Sequence, residues 1–165
     1  MEEGLHKNVR LDVVLAILKE ADPNLHLDVK NNFDDRLRLQ KYVYLIQRLG
    51  LSLGYRFNEY LRGPYSPDLA MDYYAFEDAV KELRTEHKLS EEERRIADKL
   101  KGVMKLSPNE LEALGFMLMK GWLCDEDVLV NVRFNKSHLT VEEVRRAMEE
   151  GRRIFRQWCY TNFTH

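Results

Sequence analysis

The chain has 165 residues, 44% hydrophobic and 33% charged, with a formal net charge of −2. That length suits one domain able to bury roughly two thirds of its unfolded surface, and the balance excludes both intrinsic disorder and an integral membrane protein. No apolar run approaches the ~20 residues that span a bilayer, and the charge argues against a generic phosphate binder, which would be basic.

Met1-Glu2-Glu3-Gly4 puts acid where a signal peptide carries base, and no apolar stretch follows, so the expected compartment is the cytoplasm. Val9, Val13, Ile17 and Leu18 mark an amphipathic first helix that stops before Pro23. From Asp34 to Gly50, Leu39, Tyr42, Val43, Ile46 and Leu49 form one stripe, while Leu37, Tyr44 and Leu45 add apolar surface elsewhere. A helix apolar on most sides is central, and Gly50 is placed to end it in a left-handed turn. Tyr42 and Tyr44 are each expected to bury a ring while the hydroxyl finds a partner. Gln40 and Lys41 are expected near the start of this helix, beside an extended segment. That segment, Tyr55 to Tyr60, begins with alternating aromatic and polar residues, breaks step, and runs into the turn residues Arg62-Gly63-Pro64-Tyr65.

Ser66-Pro67-Asp68 supplies a cap, a proline at the first helical position and an acid in the first turn. Leu69, Tyr73, Phe76, Val80 and Leu83 then read as one seam of a long helix, with His87 one step further along it. Ser90 with Glu93, Ser107 with Glu110 and Thr140 with Glu143 are capping-box pairs, the second reinforced by Pro108. The stripes that follow are Ile96, Leu100 and Val103; Leu111, Leu114 and Leu118; and Val144, Ala147 or Met148, Gly151, Phe155 and Trp158. Val128 to Phe134 alternates as a strand would, but strong helices flank it and favour helix. The expected fold is a single all-α domain over residues 1–165, with about six or seven helices and one short extended segment near residues 55–60.

Catalytic chemistry needs a nucleophile with its base, paired carboxylates or a metal cluster. The histidines His6, His26, His87, His138 and His165 are scattered, and none pairs with another at ligand spacing on a helix. His138 precedes the Thr140 cap and reads as a loop residue, and His165 is terminal. No phosphate-cradling glycine loop, dinucleotide turn or nucleophile elbow occurs. The expectation is a non-enzyme with no cofactor and no metal. Cys124 and Cys159 sit in apolar surroundings, outside any CxxC pattern, and read as free buried thiols rather than a disulfide. Glu142, Glu143, Glu149 and Glu150 alternate with Arg145, Arg146, Arg152 and Arg153, the pattern of a solvated, ion-paired face.

The stretch Arg36 to Leu69 carries Leu39-Gln40-Lys41, Tyr44-Leu45, then Tyr55, Phe57 and Tyr60, and Gly63-Pro64-Tyr65-Ser66 before Leu69. This LQKxxYL helix, aromatic extended segment and GPYS turn resemble the YwgA-like and Panacea (SocA-like antitoxin) families of prokaryotes. The resemblance covers about a fifth of the chain, and the later helices match only in general pattern. It implies a mostly helical domain that binds another protein, such as a toxin or a protease substrate. The residues themselves admit two readings. The motif is either a folding device of buried helix, strand and capped turn, or a recognition surface made by Gln40, Lys41, Tyr60, Arg62 and Tyr65, with Tyr44 nearby on the same helix.

Two rival readings concern other partners. Arg145, Arg146, Arg152, Arg153 and Arg156 lie along one predicted helix, and Arg36, Arg38, Lys41 and Arg48 along another. If those faces adjoin, they form a basic stripe for DNA or RNA, although an acid lies within one turn of nearly every base. Phe116, Met117, Met119, Trp122, Trp158, Tyr160 and Phe163 exceed what one helix stripe buries, which suits either two packed helices or a homodimer interface.

Overall fold

A computed structural model describes residues 8–163, with side chains as far as Cys159. Its helices are α1 (Val9–Ala21), α2 (Phe33–Arg48), α3 (Pro67–Ala75), α4 (Glu77–Lys81), α5 (Glu91–Leu100), α6 (Pro108–Lys120), α7 (Val128–Asn135), α8 (Val141–Ile154) and α9 (Arg156–Phe163). A two-stranded antiparallel hairpin, β1 (Asn58–Tyr60) and β2 (Gly63–Tyr65), lies between α2 and α3. The all-helical expectation with a minimal β element is what the structure shows, and Val128 to Phe134 is helical. Among the described residues no helix is long and apolar enough to cross a membrane. The acidic opening residues, His6, His165 and the side chains of Tyr160 and Phe163 lie outside what is described.

The helix starts form as their residues dictate. Ser90, Ser107 and Thr140 each accept from the backbone N–H of the glutamate three residues on, and that glutamate accepts from the cap's own N–H. Ser66 caps α3 through Leu69 N–H. Gly50 follows α2 at φ +113°, a conformation that L side chains rarely adopt.

Two helices expected to run on are broken instead. The seam from Leu69 to Leu83 divides at Phe76 (φ −125°, ψ 37°), and that from Val144 to Trp158 divides at Phe155 (φ −111°, ψ 32°). Each break falls at an aromatic, and Phe155 turns inward to the core while Phe76 is half-buried. The seam periodicity survives a local kink, so all but Trp158 stay on the core side without one continuous axis. His87 lies beyond both pieces, in an extended stretch, where its Nε2 stands 2.8 Å from Glu93 Oε1.

The core is built on two central helices. In α2 every residue from Leu39 to Ile46 is buried, and in α6 the run from Glu110 to Leu118 is buried without interruption. α6 packs against α2, against β2 and against α8, while α1 packs against α5. This position buries α6 on all sides, the carboxylates of Glu110 and Glu112 included, where a single buried stripe was expected. Gly115 and Gly151 permit the close approaches: a Cβ on Gly115 would meet Pro64 Cδ at 2.9 Å, and one on Gly151 would meet Leu114 Cδ1 at 2.5 Å.

Cys124 and Cys159 form a disulfide, with Cα atoms 5.0 Å apart, so the expectation of free thiols is overturned. The turn at Phe155 folds α9 back toward the segment after α6, and two apolar neighbourhoods that read as separate are one. Most of the C-terminal apolar surplus is absorbed in the same packing: Phe116 and Met117 are buried, Met119 and Trp122 are partly covered, and Trp158 remains half-exposed.

Candidate functional site

α2 holds the extended segment by its amide and amine side chains. Gln47 donates from Nε2 to Tyr55 O and accepts from Tyr55 N–H, both at 2.9 Å. Two turns earlier, Gln40 does the same to Ser66, donating to its carbonyl at 3.0 Å and accepting from its N–H at 2.8 Å. Lys41 donates from Nζ to Pro64 O at 2.8 Å. Gln40 and Lys41 therefore lie at mid-helix rather than near its start, because the chain returns across the middle of α2. Gly63, at φ +96°, lets the backbone pass over the Lys41 stem, where a Cβ would stand 3.3 Å from Cε.

The return of the chain opens a cleft of about 380 Å³ between α2, the hairpin and α3. Its walls include Phe33, Tyr65, Tyr73 and Tyr74, and its lip is the hairpin tip, where Leu61 is 88% exposed. Gln40, Lys41, Tyr60, Arg62 and Tyr65 all line it, so five of the six residues singled out for partner binding meet at one place. Tyr44 does not. It faces another part of the helix surface, its ring edge-to-face with Phe57 at 5.2 Å and its hydroxyl accepting from Arg48 at 2.9 Å. The Tyr42 hydroxyl, expected to find a partner, has none among the described residues, and burial pushes its pKa up to about 12.

Behind the cleft lies a buried charge cluster. Glu112 of α6 is fully enclosed and accepts from Arg62 Nε and from His138, whose Nε2 is 3.1 Å from Oε2, with Lys136 Nζ at 3.3 Å. Burial opposes ionisation of Glu112, but the hydrogen bonds of Arg62 and His138 and the charge of Arg62 and Lys136 outweigh it, leaving its pKa below the usual carboxylate range. Lys41 is pushed down to about 7, chiefly by burial and further by the like charges of Arg62 and Lys136, with Glu112 acting the other way. His138, read from sequence as a loop residue, is in a turn but holds a defined partner. Glu112 and Lys136 escaped sequence reasoning. One signal was present: a glutamate set between Leu111 and Ala113 in a strongly apolar helix.

Most of the arginines proposed for nucleic acid have partners within the chain. Arg145 and Arg146 pair with Glu142, and Arg146 also with Glu110. Arg152 donates to Leu123 O and Asp125 O, and Arg153 pairs with Glu150 while donating to Lys99 O. Arg156 begins α9, across the break at Phe155. On the other helix Arg36 donates to Val29 O, Arg38 pairs with Asp35, and Arg48 lies 4.8 Å from the Trp158 ring. α6 packs against both α2 and α8.

The described residues contain no group of three or more His, Cys, Asp or Glu side chains able to hold a metal ion. Comparison of the chain with protein-family models, with curated proteins and with solved structures found no match.

Proposed function

We propose that the chain is a non-enzymatic polypeptide-binding module, antitoxin-like or protease-adaptor-like in the manner of the families its Arg36 to Leu69 segment resembles. The observation that carries this reading is the convergence of Gln40, Lys41, Tyr60, Arg62 and Tyr65 on one aromatic cleft with an exposed apolar lip. A contiguous exposed apolar patch beside a concave site is the usual mark of a recognition surface. Gln40 and Lys41 spend their polar groups on backbone, which makes them the scaffold of the cleft rather than its contacts. Tyr60, Leu61, Arg62 and Tyr65 supply the contacts, with aromatic and arginine side chains of the kind that anchor interfaces.

The test is capture from lysate of the source organism, with and without nuclease, by the native chain and by Leu61→Asp. The expected result is a stoichiometric polypeptide held by the native chain and lost by the variant, while the variant keeps its helical circular dichroism. Retention of nucleic acid, released by nuclease or raised salt, would overturn the reading and favour the arginines of α8.

A further inference from the structure

The cleft is one-sided in charge. Its ionisable lining consists of Arg36, Lys41, Arg62 and tyrosines, with no carboxylate among the residues that form it. Arg36 and Arg62 both place their guanidinium carbons 5.7 Å from the Phe33 ring, so two cations flank one exposed aromatic at the rim. The hydrogen bonds of Arg62 use Nε, to Glu112, and one terminal nitrogen, to Asn109; its other terminal nitrogen has no partner among the described residues. Arg36 likewise spends one terminal nitrogen on Val29 O. Both rims of the cleft are open and apolar: Phe33 and Tyr74 are about half exposed on one side, and on the other Tyr60 is about half and Leu61 almost fully exposed. A site for a small enclosed molecule would be walled, whereas this one suits a chain lying across it.

We propose that the cleft binds an internal segment of a partner polypeptide carrying an aromatic or large aliphatic side chain next to an acidic one, the apolar group seated among Phe33, Tyr65 and Tyr74 and the carboxylate received by Arg36 and Arg62. This rests on the reading of the cleft as a docking surface. Guanidinium groups match carboxylates in shape as well as charge, and the enclosed aromatic floor strengthens the pair by excluding water. The anion also meets a floor that favours it. Lys41 faces Glu112 from α6, Arg62 from the hairpin and Lys136 from the end of α7, and a carboxylate arriving above it stabilises its protonated form. Binding near pH 8 therefore takes up protons.

The experiment titrates the isotope-labelled chain with four N-acetylated peptides and with 3-phenylpropionate, read by amide shifts. The probe is Ac-Gly-Ser-Phe-Glu-Ser-Gly-NH2; the comparison peptides replace Glu by Gln, replace Phe by Ala, or end at Phe with a free carboxylate. The expected result is shifts confined to Phe33, Arg36, Tyr65, Tyr74 and the hairpin tip from Tyr60 to Arg62. The Phe-Glu peptide should bind at least about tenfold tighter than the Phe-Gln peptide, as expected for a charge-assisted pair, with the advantage shrinking at high salt. Arg36→Gln, whose side chain is on the rim and outside the Glu112 cluster, should reduce that advantage without unfolding the chain. Equal affinity for the Glu and Gln peptides, shifts elsewhere, or no binding by any peptide would overturn the inference. Tighter binding of the free-carboxylate peptide would replace the internal segment with a chain end. Equally tight binding of 3-phenylpropionate would point to a small acid instead. A polypeptide captured from lysate and lost with Leu61→Asp would still support the docking surface if this preference failed.

Discussion

Glu112 is one carboxylate shared by three basic side chains while itself fully enclosed. Removing a buried partner leaves charges that water cannot reach, and the loss exceeds what the pair adds when intact. Glu112→Gln is expected to cost about 3 kcal/mol, read by urea unfolding, because it leaves the buried ammonium of Lys136 and the guanidinium of Arg62 without their counter-charge. Lys41 works in the opposite sense. Its pKa is about 7 in the folded chain against 10.5 unfolded, so between those values the unfolded chain binds the extra proton and stability rises with pH. Below pH 7 both states are protonated and the cost of burying the ammonium is felt in full. The native chain should therefore gain on Lys41→Met between pH 7 and pH 10, as measured by urea midpoints at each pH; a gap constant over that range would refute the burial of the charge. At this scale the sequence was partly legible. Gln40, Lys41 and the GPYS residues stand close enough together to be read as one motif, but Glu112 and Lys136 join it from 50 and more residues away. Nothing local to them states where they point.

Between elements, α6 and β2 meet at a close junction. Gly115 faces the rigid ring of Pro64, with both Cγ and Cδ 2.9 Å from where a Cβ would stand. Gly115→Ala should cost about 1–3 kcal/mol by overpacking. It should also lift the hairpin from α6, weakening partner binding by more than the loss of stability alone would. Chemical denaturation and a binding titration on the same variant separate the two effects. Ser107→Ala offers a local contrast, with an expected loss of about 1 kcal/mol from the cap and no change at the cleft. The element starts were readable because caps are local chemistry, written within four residues. The breaks at Phe76 and Phe155 were not, since apolar spacing marks a core-facing side and is silent on whether the axis continues. Nor could spacing separate β2 from a turn: Gly63 to Tyr65 is a strand because β1 and α2 receive it.

Across the whole molecule, the disulfide ties the last helix to the segment after α6, over a sequence separation of 35. Loop-closure entropy for that span gives about 3–4 kcal/mol of stabilisation. Reduction, or Cys159→Ser, should lower the unfolding midpoint accordingly. It should also change the fluorescence of Trp158, whose ring lies against Arg48 of α2. An unchanged midpoint and spectrum would mean that α9 docks without its tether. Cysteine count and spacing could not reveal this bond, because two cysteines in apolar settings look alike whether they are free or joined. Only the fold brings them within reach.

That bond also makes the stretch from Cys124 to Cys159 a closed covalent ring, which contains α7 and its outward-facing Val130 and Phe134. A protease that cuts after Phe134 opens the ring without releasing a fragment. The nicked molecule keeps its mass on a non-reducing gel and parts into two bands only when a reductant is added.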